Sequence, residues 1–181
     1  MKSFVAVLLL GLAALVVQGA LARTIPPPWC PDLAWLVVVG VGLRWPGFLS
    51  GLMVSLPLGY AMDLLSGSLM GQHALMRLIS YLTAAVASRQ LDMSGKRSVA
   101  IFVVGMTFIY ALGIAGTGSL FAGSSPLGWD VLSSTLAHAM ANLVAAGPMI
   151  AMVDWIITFS TDEEAGRQAP IALSGSRGTL L

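Results

Sequence analysis

Asp63, His73 and Arg77 are the side chains best able to do chemistry in this chain. They fall together in GYAMDLLSGSLMGQHALMRL, residues 59–78. An acid, an imidazole and a guanidinium so close in sequence fit three roles: a polar clasp between two helices, a contact for a partner protein, or a proton or substrate relay. The clasp is favoured, because ionisable groups inside a membrane normally find partners. In that reading Asp63 accepts hydrogen bonds from the turn, or pairs with Arg77 or His73. A relay would call for further acidic groups at mid-membrane depth, and the sequence offers none there.

A second polar group is His138 and Asn142 in TLAHAMANL, four residues apart and therefore on one helix face. With Ser133, Ser134 and Thr135 they form a stripe suited to hydrogen bonding between membrane helices. A serine hydrolase would need Ser66 or Ser68 as nucleophile and His138 as base. Ser beside Gly at a span end is ordinary turn chemistry, so that reading ranks far below the clasp. With one Cys and two His, no metal-ligand cluster or internal disulfide is expected. The glycines of GIAGTGSLFAG, residues 113–123, read as close helix packing. A phosphate loop would require a preceding strand and a Gly-Lys-Ser/Thr ending. No cofactor is expected.

The elements that must position these residues are membrane helices. The chain is 57% hydrophobic, with charged residues at 9% against about 25% in soluble domains. Mean hydropathy is +0.87, and a net charge of +1 gives no reason to expect a nucleic-acid partner. Apolar runs predict six spans, near residues 3–22, 29–43, 47–63, 72–88, 98–122 and 131–159. The fold class expected is therefore an all-α integral membrane protein, a bundle of six transmembrane helices over residues 1–159. A polar, Gly- and Ser-rich tail, residues 160–181, is expected to be flexible and cytoplasmic. The first span has a leader-like Ala-Leu-Ala before Arg23, but its apolar run of about 19 residues is long enough to span and is expected to be retained.

Orientation follows from Lys and Arg. With the N-terminus inside, Lys2, Arg44, Arg89, Lys96, Arg97, Arg167 and Arg177 are cytoplasmic, Arg23 is outside and Arg77 lies within a span. Both termini are then cytoplasmic, and the 66–71 turn faces outward. Asp63 sits about one turn before the end of the third span and His73 about one turn into the fourth. Arg77 lies on the same face as His73, roughly 6 Å deeper. Gly67 and Gly71 permit a tight turn, and Ser66 and Ser68 can satisfy its free backbone groups.

The order Arg44, Gly47, Gly51, Gly59, Asp63, Ser66–Gly67, Gly71 and His73–Ala74–Leu75 resembles the MreD family of bacterial rod shape-determining membrane proteins. The match is GYAMDLLSGSLMGQHAL, residues 59–75 of 181. The family's usual Pro before the Gly of this turn is Met70 here. The resemblance implies a non-enzymatic protein of the bacterial inner membrane that acts in the cell-wall elongation complex. Implied partners are the bitopic MreC scaffold and, through it, the MreB filament, RodA and its transpeptidase, all in a bed of membrane lipid. It also implies a fold similar to the substrate-binding subunits of energy-coupling-factor vitamin transporters. Such a subunit is the main rival reading, with His138, Asn142 and Asp63 as pocket groups. Gly59, Asp63, Ser66, Gly67, Gly71, His73 and Arg77, with His138 and Asn142, are the expected structural or partner-binding residues.

Overall fold

The computed structural model describes residues 2–123 and 128–168, and among these the regular secondary structure is all helix. The six helices are α1 Lys2–Leu21, α2 Leu33–Arg44, α3 Phe48–Ser66, α4 Gln72–Gln90, α5 Lys96–Ala122 and α6 Trp129–Gln168. Four contain stretches long and apolar enough to cross a membrane: Lys2–Leu21, Phe48–Ser66, Lys96–Phe121 and Trp129–Ser160. The expected count was six. The two that differ are α2 and α4, for different reasons.

α2 is short. Its 12 residues extend about 18 Å against a hydrocarbon core of about 30 Å. The prolines of RTIPPPWCPD cannot continue a helix, so the apolar run expected from Trp29 becomes helical only at Leu33. Asp32 caps this start, its carboxylate accepting the Trp35 N–H at 2.9 Å. α2 is also central: Ala34 through Leu43 are all buried. A helix apolar on every side is suited to such a position.

α4 is long enough but polar. It buries Gln72, Arg77 and Ser80 as well as apolar residues. α3 and α4 form an antiparallel hairpin whose backbones approach closely. A Cβ on Gly59 would lie 2.9 Å from the Ala74 amide nitrogen, so only Gly fits there. Across the α2–α4 contact, a Cβ on Gly42 would sit 2.6 Å from that of Ala84. Small residues at such crossings let dispersion and interhelical hydrogen bonds hold helices that lipid gives no hydrophobic reason to associate.

α1 packs against α2, α3 and α6, burying Val7, Gly11, Ala14 and Leu15. Its remaining faces carry exposed apolar groups, as do α5 and α6, where Ile101 is 74% and Val144 78% exposed. Such surfaces suit lipid. α6 spans 40 residues, about 60 Å at helical rise, which exceeds any bilayer core. It continues to Gln168, past the expected end near Phe159. The first part of the expected flexible tail is therefore helical; the remainder, residues 169–181, lies outside the described residues, as does the 124–127 stretch before α6.

Candidate functional site: a polar network joining five helices

Asp63 lies in the last turns of α3 and is 1% exposed. Its carboxylate accepts the backbone N–H groups of His73 at 2.7 Å, Gly71 at 3.0 Å and Ala74 at 3.2 Å, and the Ser68 hydroxyl at 3.4 Å. The first N–H groups of a helix have no partner within it. α4 has no capping side chain of its own, because its N-cap is Gly71. Asp63 supplies the cap from the preceding helix, and its charge meets the positive end of the α4 dipole. Gly67 ends α3 at φ 63° and Gly71 starts α4 at φ 87°, backbone conformations that favour glycine. Ser66 donates to Ser68 at 2.8 Å within the turn.

Of the partners weighed for Asp63, the structure uses the turn and not the side chains of Arg77 or His73. The His73 Nδ1 instead meets the Tyr110 hydroxyl of α5 at 2.6 Å, with the rings stacked at a centroid distance of 6.0 Å. Arg77 turns toward α2. It is fully buried, and its Nη2 lies 3.0 Å and 3.3 Å from the two Asp32 carboxylate oxygens. Its Nη1 donates to the Leu58 carbonyl of α3 at 2.9 Å.

The network continues beyond Asp32. The Asp32 N–H donates to Asn142 Oδ1 at 2.8 Å. Asn142 Nδ2 donates to Thr107 Oγ1 at 3.3 Å, and the Thr107 hydroxyl donates to the Val103 carbonyl at 2.8 Å. Arg77, Asp32, Leu58, Asn142 and Thr107 thus tie α4, α2, α3, α6 and α5 through one buried chain of hydrogen bonds. Trp35 adds a parallel link, its indole N–H donating to the Ser80 hydroxyl at 2.9 Å.

His138 sits beside this network with Nδ1 3.3 Å from the Pro28 carbonyl. It and Asn142, with Asp32, Trp35, Thr107 and Tyr110, line a cleft of about 290 Å³ between α2, α5 and α6. Asp63 is not part of that lining. Ser66 and His138 share the wall of a different cleft, of about 330 Å³, but no hydrogen bond joins them among the described residues. Ser66 is bonded to Ser68, and His138 to the Pro28 carbonyl. No three His, Cys, Asp or Glu side chains converge on a metal-sized site among the described residues.

Asp32, Thr107 and Tyr110 were not singled out from sequence. Pro31–Asp32 before an apolar run is a readable N-cap signal, but nothing local couples Asp32 to a residue 45 positions away. Between the helices, the α1–α2 connector holds Cys30, whose thiol is pushed up from its ordinary range by burial and then by the Asp32 carboxylate.

No family model, curated protein or solved structure matches this chain. What can be said of its chemistry therefore rests on the geometry. The described ionisable groups near the network are engaged in holding helices together, and the open space beside them is a mainly apolar cleft with a few polar edges.

Proposed function

We propose that this chain is an MreD-type protein: a non-enzymatic, multi-pass component of the bacterial inner membrane that supports the cell-wall elongation complex. In this reading all six helices belong to the membrane domain, with α2 shielded from lipid by the others and α4 presenting Leu75, Ile79 and Val86 to it. The fold is similar to that of energy-coupling-factor substrate-binding subunits, and both termini are cytoplasmic. The chain anchors an MreC-like bitopic scaffold, and through it acts on the MreB filament, RodA and the associated transpeptidase.

One observation carries the reading. The residues of the 59–75 stretch on which the resemblance rests each have a mechanical task. Gly59 admits the α4 backbone, Asp63 caps α4, Gly67 and Gly71 shape the turn, and Ser66 braces it. A signature given over to holding a hairpin is what a scaffold-binding protein needs. Replacing Asp63 with Ala in the native organism tests this. Rounded cells with reduced scaffold recruitment are expected; normal rod shape at normal protein abundance would contradict it.

The cleft of about 290 Å³ favours a second reading, a substrate-binding subunit of a small-molecule transporter. Binding pockets are mainly apolar with a few convergent polar groups, and His138, Asn142 and Tyr110 supply such groups here. A vitamin-sized molecule retained at one-to-one stoichiometry through purification would favour this reading over the first.

A further inference from the structure

The network above occupies one end of the bundle. The other end collects cations. Arg44 is the last residue of α2 and Arg89 lies in the last turn of α4. Both line a concave cleft of about 310 Å³ together with Trp45, Phe48, Tyr81 and Ser88. Its walls are fixed by hydrogen bonds. Tyr81 donates to the Phe48 carbonyl at 2.6 Å, and Ser88 to the Gly42 carbonyl at 3.3 Å.

Among the described residues, the cations in this cleft have no ion-pair partner. Arg44 Nε is buried without a hydrogen-bond partner. Among the described residues no ion pair engages either Arg44 or Arg89, and no acidic side chain lines the cleft. Asp154 lines a neighbouring cleft on the other side of Arg44 without forming an ion pair to it. The negative ends of two helix dipoles favour cations here, but a dipole does not explain why a guanidinium nitrogen is buried with no acceptor. That arrangement is costly unless an acceptor arrives. Trp45 adds an indole N–H with no partner among the described residues, at a depth where Trp commonly meets lipid headgroups.

We infer that the Arg44–Arg89 cleft binds the phosphodiester headgroup of an anionic phospholipid. Guanidinium groups bind phosphate oxygens in a fixed fork. The Lys and Arg bias places this end of the bundle at the cytoplasmic leaflet, where basic pockets between helices meet anionic lipid. Phe48 is exposed at the cleft edge and Leu49 beside it in sequence, offering apolar surface for an acyl chain. The site rests on the membrane reading and the orientation proposed above, and on neither of the two functional roles.

Native mass spectrometry of the detergent-purified chain tests it, with phosphatidylglycerol, phosphatidylcholine and inorganic phosphate as separate probes. One tightly held phosphatidylglycerol is expected, weakened roughly thirtyfold in Arg44→Gln/Arg89→Gln and unchanged in Arg97→Gln, which alters an exposed cation outside the cleft. Arg89 is exposed, so Arg89→Gln alone decides the matter if the double variant is not monodisperse, with a loss of roughly fivefold expected. Equal binding of phosphatidylcholine, equal loss in Arg97→Gln, or undiminished binding in the Arg89 variant would overturn the inference. Displacement by an equal concentration of inorganic phosphate would also overturn it, marking a free-anion site.

Discussion

The Arg77 guanidinium lies 3.0 Å from the Asp32 carboxylate, joining residues 45 positions apart in the chain. Both are buried in a helical bundle whose outer faces are apolar. Desolvating two charges costs several kcal/mol, and their attraction repays this only when further hydrogen bonds complete the shell. Trp35 N–H and the Leu58 carbonyl complete part of it. The pair fixes the register of α4 against α2 and α3, because a one-residue rotation of α4 would aim a guanidinium into apolar packing.

Breaking this pair from one side leaves a buried charge unmatched. Arg77→Met should destabilise the bundle by roughly 3 to 5 kcal/mol. Arg77→Met combined with Asp32→Asn should cost less than the two single changes added together. Unfolding in mixed micelles measures this double-mutant cycle. Strict additivity would mean the two residues do not interact.

Asp63→Asn should cost roughly 2 kcal/mol or more, since an amide presents one acceptor oxygen where the carboxylate presents two to the α4 N–H groups. Ser68→Ala should cost well under about 1 kcal/mol, because its bond is long and partly exposed. Hydrogen exchange of the Gly71, His73 and Ala74 amides would accelerate in the first variant and not in the second.

Gly59→Leu should fail by overpacking, at roughly 1 to 3 kcal/mol or more, because its Cβ would meet the Ala74 backbone. Gly116→Leu, at a position where a Cβ meets nothing nearby, should be tolerated. Thermal unfolding of the two purified variants separates these outcomes.

Cys30 should alkylate slowly at neutral pH. Burial and the neighbouring Asp32 carboxylate hold its thiol above the ordinary range, so the reactive thiolate forms only at higher pH. The rate of maleimide or iodoacetamide labelling against pH checks this. A midpoint at or below that of a free thiol would contradict it.

The hairpin was legible in the sequence because its information is local. Gly67 and Gly71 mark the turn, and Asp63 falls within reach of the amides that follow. Helix positions were legible from apolar runs, although the late start of α2 at Leu33 and the extension of α6 to Gln168 were not. Prolines and a capping Asp decided the first, and a helix continuing through polar residues decided the second. The partner of Arg77 was not legible. Its register pointed to a deeper role than the turn required, yet Asp32 lies in a Pro-rich connector that reads as a loop. Thr107 and Tyr110 are single polar groups in a long apolar helix, and only the fold brings them to Asn142 and His73.

We have proposed that this chain binds a scaffold protein of the elongation complex. Affinity purification of the tagged full chain from its native membrane, followed by proteomics and small-molecule mass spectrometry of the same eluate, tests it most directly. Retention of a single-span, coiled-coil protein is expected, with reduced retention in Asp63→Ala at equal abundance. A vitamin-sized ligand at one-to-one stoichiometry with no such protein partner would contradict it.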